Sequence, residues 1–254
     1  MFRNIGNRFV RPKPKLHFIH IPKTAGMSFV DAMIRLYGRD SYVDLVAKSK
    51  QAAGALYREE FAAKNEYSFR HHLIAYQMAC GTGFISAHAP FSVQLHDAFP
   101  EYHVVTVLRN PVERYLSEYY FNKTKKDGHA KLDIGLEEFS ETARGIEQGE
   151  ILTKYICDSL GKHEANNNSL ARAKEILKSR FEIIGFVERL HEFELALGTR
   201  LNIKPSIRHL NKSAAGAKTL SRHLRARIEK LCDQDLELYE FAKTLDAGRV
   251  HSVN

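Results

Sequence analysis

The sequence contains no run of about 18 apolar residues, so no membrane-spanning helix is expected. Residues 1–15 carry five basic side chains together with Pro12 and Pro14, and lack the apolar core of a signal peptide. The expectation is a chain that is neither secreted nor anchored. Cysteine is scarce: Cys80, Cys157 and Cys232 are odd in number and widely spaced, which argues against a disulfide framework and a zinc cage and fits a reducing compartment. The sequons at Asn122, Asn167 and Asn211 matter only in a secretory compartment. Internal repeats and low-complexity blocks are absent. No aromatic-interleaved basic run, helix-turn-helix or zinc-finger pattern appears, which weakens a nucleic-acid-binding reading despite a formal net charge of +8. That charge fits either a solvated basic surface or an anionic partner such as a phosphorylated nucleotide or an acidic glycan.

The 254 residues suffice for one large domain with a sizeable core, and 44% apolar against 27% charged is ordinary for a globular protein. Short β-rich apolar runs alternate with longer segments of helical period, which predicts an α/β layered fold with a mainly parallel sheet. Strands are expected at 16–21, 42–45, 84–87, 104–108 and 181–186. Helices are expected at 26–37, 92–99, 111–123, 136–144, 149–159, 168–179 and 188–197, with one or two closing helices over 221–244 that break near Asp233. The segment 202–219 reads as irregular. One domain is expected over 1–254, with a basic arm at 1–15 and a helical elaboration at 124–180.

The strongest local signal is His20-Ile21-Pro22-Lys23-Thr24-Ala25-Gly26-Met27-Ser28, between a predicted strand and a predicted helix. A helix N-terminus offers unpaired N–H groups and the positive end of the dipole, which favour phosphate. Gly26 allows close backbone approach, Lys23 adds charge, and Thr24 and Ser28 add hydroxyls. A nucleotide-triphosphatase phosphate loop would place glycines where His17 and Pro22 stand. The run 104–108 ends in Arg109 rather than a magnesium-binding Asp, which disfavours an ordinary ATP or GTP hydrolase. The second signal is Arg109 with Ser117 eight residues on. Arg109 lies at the carboxyl end of a strand, where open α/β sheets bind ligands. Asn110 caps the following helix, Pro111 takes its first turn, and Glu113 is placed to close a capping box. Asn110, Arg114, Ser117 and Phe121 share one helical stripe, and a guanidinium and a hydroxyl converging there would hold a phosphate.

These two segments resemble the PAPS-dependent sulfotransferases (PAPS is 3′-phosphoadenosine-5′-phosphosulfate), especially the branch of glycan 2-O-sulfotransferases. The resemblance is carried by Pro22-Lys23-Thr24-Ala25-Gly26-Met27-Ser28 and by Arg109-Asn110-Pro111-Val112-Glu113-Arg114-Tyr115-Leu116-Ser117-Glu118-Tyr119-Tyr120. Met27 stands where a Thr is common in relatives, so one hydroxyl donor is missing. The resemblance implies a P-loop-like three-layer α/β/α fold. It implies that Lys23 binds the bridging or sulfuryl oxygens, that the amides of Thr24, Ala25, Gly26, Met27 and Ser28 cradle the 5′-phosphate, and that Arg109 and Ser117 bind the 3′-phosphate. His209-Leu210-Asn211-Lys212-Ser213 is similar to the late loop that closes over the nucleotide, which brings in Asn211, Lys212 and Ser213. PAPS is then the donor, 3′,5′-adenosine bisphosphate (PAP) the product, and no metal is required. The missing membrane anchor departs from the Golgi relatives and points to a bacterial cytoplasmic enzyme.

His88, after a short strand in Ser86-Ala87-His88-Ala89-Pro90, is the candidate general base, because neutral imidazole takes a proton near pH 7. Relatives acting on glycans have a similar His. Glu113 and Glu188 are weaker candidates, and His20 is expected to pack or hydrogen-bond locally. The acceptor implied is a carbohydrate hydroxyl, with no nucleic acid and no stable membrane insertion. The alternatives are a small-molecule or nucleotide kinase with a degenerate phosphate loop, a nucleic-acid-binding protein, and an inactive PAPS-binding relative.

Overall fold

The structure is a computed structural model that describes residues 12–57, 59–128, 130–158, 168–207 and 220–250. In chain order it runs β1 (Leu16–Ile19), α1 (Gly26–Tyr37), β2 (Ser41–Val43), α2 (Val46–Leu56), α3 (Glu59–Ala79), β3 (Phe84–Ala87), α4 (Val93–Ala98), β4 (His103–Leu108), α5 (Pro111–Lys123), α6 (Leu136–Glu141) and α7 (Ala143–Glu147). After a 3₁₀ turn follow α8 (Ile151–Ile156), α9 (Ser169–Arg180), β5 (Ile183–Phe186), a second 3₁₀ turn, α10 (Leu190–Leu201), α11 (Arg222–Leu231) and α12 (Asp233–Val250). The five strands form one parallel sheet in the order β2-β3-β1-β4-β5.

Strand alternation assigns the layers. Leu16, Phe18, Phe84, Val105, Val107 and Ile183 face α1 and α10, where Phe29, Met33, Phe193 and Leu197 complete one core. Ile19, Val104, Leu108, Ile184 and Phe186 face the other way onto α8, α9 and α12. Ile85 and Ala87 pack under α3 and α4. Covered on both faces, β1, β3, β4 and β5 are mostly apolar, broken only by His17, Ser86, His103 and Thr106, and the result is the expected three-layer α/β/α arrangement. At Gly185 an added Cβ would lie 2.6 Å from the Phe193 ring, so α10 sits close against β5 only because that residue is glycine.

Several boundaries move from the sequence expectation. β1 ends at Ile19, where the Ile21 N–H turns back to the Ile19 carbonyl at 3.2 Å. The helix expected at 136–144 is two, because the Thr142 side chain caps the second by accepting from the Gly145 N–H at 3.0 Å. The expected break near Asp233 is the junction of α11 and α12. The segment 40–80, where a strand near 42–45 and then helix are expected, holds β2, α2 and the 21-residue α3. In the order β2-β3-β1-β4-β5 the chain leaves β1 toward β2 on one side and leaves the adjacent β4 toward β5 on the other. The crevice at the carboxyl ends of β1 and β4 is therefore the topological switch point, where such sheets bind ligands.

Candidate active site

The turn from β1 into α1 is built by two residues in the left-handed region, Lys23 at φ 68° and Ala25 at φ 57°. Neither is glycine, so each costs on the order of 1 kcal/mol or more. Side chains and neighbours hold the turn. The buried Thr24 hydroxyl donates to the Ile21 carbonyl at 2.9 Å, the Ser28 N–H donates to the Ala25 carbonyl at 3.1 Å, and Arg109 Nη1 reaches the Lys23 carbonyl at 3.4 Å. From β4, the Thr106 hydroxyl donates to the Ile19 carbonyl at 2.9 Å and pins the end of β1. The first turn of α1 carries no acidic residue and its N-cap makes no side-chain bond, so the positive end of the helix is not neutralised locally. Gly26 opens α1 against the His20 ring, where an added Cβ would lie 2.2 Å from two ring atoms.

His20 is 5% exposed. Its ring stacks on Phe18 at 5.2 Å and on His88 at 4.0 Å between centroids. His88 follows β3 and its Nδ1 lies 2.8 Å from the His20 carbonyl oxygen. A carbonyl only accepts, so this bond assigns the imidazole proton to Nδ1 and the lone pair to Nε2. Burial holds the His88 pKa below the usual imidazole range. The His20 carbonyl, Asp44 and Glu118 pull it up, and Arg70 pushes it down. His88 is therefore neutral at pH 7 with Nε2 able to accept a proton. Burial, reinforced by repulsion from the neighbouring His88 ring whenever that ring is protonated, holds His20 well below the same range.

Arg109 lies beside the same turn, at the end of β4. Lys23 Nζ sits 3.6 Å from the Phe121 ring centroid, and Lys125 Nζ sits 4.8 Å from it. Burial holds the Lys23 ammonium below its usual range. Glu118 opposes this, while Arg109 and Lys125 add to it. Burial likewise lowers Arg109. Three cations, Lys23, Arg109 and Lys125, thus meet at one sheet edge, with Glu118 beside Lys23 and Glu113 and Glu188 beside Arg109. Ser117 is partly buried on α5, one turn before Phe121.

Of the sequence-predicted residues, the structure gathers Lys23, Thr24, Ala25, Gly26, Met27, Ser28, His88 and Arg109 at the carboxyl edge, with α5 carrying Ser117 alongside. Met27 is 57% exposed and points its thioether outward. Asn211, Lys212 and Ser213 lie outside the described residues. Two expectations for α5 change. Asn110 caps the helix as expected, accepting from Val112 and Glu113 N–H at 3.1 and 3.3 Å. However, its own N–H goes to Glu188 Oε1 at 3.1 Å, so Glu113 does not close the box. Glu188 also accepts from the Tyr239 hydroxyl at 3.0 Å, which ties α5 to α12 and engages this second candidate base. Arg114 leaves the expected stripe. It is 1% exposed and donates to the Gln148 carbonyl and to Gln148 Oε1. Asn122, the first sequon, is 1% exposed and bonded to Glu118, a geometry closed to glycosylation.

Sequence reasoning missed Glu118, Arg70 and Asp44. Glu118 was readable in principle as the neighbour of Ser117 on α5. Arg70 and Asp44 had no local signal. They form a nearly dry ion pair at 3.0 Å, each side chain 3% exposed, beneath the His88 backbone.

Comparison with known proteins meets this geometry from another direction. Residues 7–242 match the sulfotransferase family, and the chain belongs to it. Its activity class is therefore transfer of a sulfuryl group. Among solved structures, the chain is similar to a sulfotransferase from Alicyclobacillus acidocaldarius at 17% identity and a TM-score of 0.42, over 89% of this chain and 98% of that one. No curated protein matches the chain.

Proposed function

We propose that the protein transfers the sulfuryl group of PAPS to an acceptor hydroxyl on a carbohydrate. The α1 N-terminus and Lys23 take the 5′-phosphosulfate, and Arg109 with Ser117 takes the 3′-phosphate. The acceptor oxygen attacks sulfur in line. The bond from sulfur to the bridging oxygen breaks, its electron pair stays on the 5′-phosphate, and the acceptor proton passes to His88 Nε2. Lys23 offsets the charge that grows on the leaving phosphate. No metal is needed in this scheme, because the transferred group carries less charge than a terminal phosphate.

The observation that carries this reading is the bond from His88 Nδ1 to the His20 carbonyl. It leaves a neutral Nε2 lone pair at the edge where Lys23 and Arg109 meet. Calorimetry with PAP, with PAPS and with ATP·Mg²⁺ tests the donor site, and preference for ATP·Mg²⁺ would turn the reading toward a kinase. Transfer of ³⁵S from PAPS to desulfated heparin, chondroitin, glycolipids and simple alcohols tests the acceptor class. H88A is expected to lose transfer while still binding PAP, and K23A is expected to lose transfer as well. Loss of the wild-type rate in EDTA would contradict the metal-free scheme.

A further inference from the structure

The hairpin of α2 and α3 takes no part in the motifs above, yet it grips the loop that carries His88. Arg70 on α3 is the centre of this grip. Its Nη1 donates to the His88 carbonyl at 2.9 Å. Its Nε lies 3.0 Å from Asp44 Oδ2 and 3.1 Å from Ser49 Oγ, and Nη2 pairs with Glu66. Asp44 in turn accepts from the Ser49 hydroxyl at 3.0 Å, and its own N–H bonds the Ser86 carbonyl of β3 at 2.9 Å. One residue on, His71 Nε2 holds the Pro90 carbonyl at 2.8 Å. The 88–90 loop is therefore held from α3 at two carbonyls, while its imidazole is held from β1 at Nδ1.

A buried ion pair seldom adds net stability, because desolvation offsets the attraction. An apolar side chain would fill the space under β3 at less cost. It would not donate to the His88 carbonyl, and that donor is what the guanidinium supplies here. We propose that Arg70 is a positioning residue for sulfuryl transfer, fixing the His88 backbone so that Nε2 stays where the acceptor proton is taken. This rests on His88 being the base. The groups facing the imidazole are His20 after β1, Asp44 after β2, Arg70 with Glu66 on α3, and Glu118 on α5. Within this set Arg70 lowers the proton affinity of His88, while Asp44 and Glu118 raise it.

The test uses the full chain. Its readouts are PAP release from PAPS with desulfated heparin as acceptor and with water alone, and PAP binding by calorimetry. R70K and R70Q are expected to lose about tenfold to a hundredfold in kcat, the scale of a misplacement near 1 Å, with PAP affinity unchanged. The acid limb of the kcat/KM profile should move to higher pH in R70Q, stay in place in R70K, and move to lower pH in D44N. In an H88A background, R70Q or R70K should not lower the residual PAP release any further, since Arg70 acts through His88. Should the glutamine variant not fold, R70K and D44N carry the same comparison. Equal losses with and without His88, or unchanged rate and limb, would overturn the assignment of Arg70. Full activity in H88A would instead remove the base itself, whatever Arg70 does.

Discussion

Replacing Gly26 with alanine tests how tightly the site is built. A Cβ there would lie 2.2 Å from both Cδ2 and Nε2 of His20, against the roughly 3.5–4.0 Å of an ordinary carbon contact. Relief therefore needs a shift of about 1.5 Å. The ring has little room to retreat, because His88 stacks on it at 4.0 Å and Phe18 at 5.2 Å. Alanine favours a helix over glycine by at most about 1 kcal/mol, and less at a first helical position. Overpacking costs about 1–3 kcal/mol, so the net effect is destabilising by roughly 1–2 kcal/mol in urea denaturation. The displaced ring also presses on His88, and transfer should fall by about a hundredfold if the imidazole moves by 1 Å. The control is H20A, which empties the space. In that background G26A should cost nothing, or gain the helix preference. A G26A protein as stable as wild type, or one equally damaged without the His20 ring, would refute the packing argument.

The remaining predictions concern the donor site, acid stability and one buried cap. R109A should raise the PAP dissociation constant by about tenfold to a hundredfold, the worth of a charge-assisted bond, whereas K23A should lower kcat by more than it weakens PAP. His17, His20 and His96 are all held below the usual imidazole range by burial, His96 at about 4, so the unfolded chain binds more protons than the folded one as pH falls below 6.5. Asp235, pushed up to about 6 by burial, works in the opposite sense by up to one proton between pH 6 and 4. His71 and His88 are lowered by burial as well, so the balance is roughly two to four protons near pH 5, and stability should be greatest above pH 6.5 and fall by about 3–5 kcal/mol per pH unit near pH 5. Denaturation curves that superimpose at pH 7 and 5 would contradict this. Asp235 is fully buried and accepts the Leu152 and Thr153 N–H groups at 2.8 Å each, so D235A should cost about 2–5 kcal/mol in the same assay and D235N less.

The legibility of these features in the sequence follows the range of the interactions behind them. The turn after β1 and the start of α5 were readable because their signals are contiguous: an apolar run, then a cap, a proline or a glycine. The sheet edge followed, since a strand ends where its run ends. The capping box at Glu113 failed because Glu188, 78 positions from Asn110, takes the Asn110 N–H. Arg114 failed for a similar reason, since its helical phase matches Ser117 but its partner Gln148 lies beyond the next two helices. Arg70 could not be read at all. Glu66 is its i−4 neighbour on α3, but the partners at 44, 49 and 88 are brought to it only by the fold, and a charged pair in a weakly patterned helix looks like surface.

A glycine-rich loop reaches positive φ at little steric cost, whereas here Lys23 and Ala25 reach it with side chains attached. For Ala25 a glycine would relieve strain, but it would also raise the entropy of the unfolded chain. For Lys23 no such exchange exists, because glycine would remove the ammonium that faces the cluster with Arg109 and Lys125. The strain at Lys23 is therefore tied to its charge. Besides the bonds within the loop, two contacts that offset it come from outside: Arg109 on the Lys23 carbonyl and Thr106 behind Ile19. Both belong to β4 and its end, so the strand that delivers the second cation also holds the first one in its unfavourable backbone state.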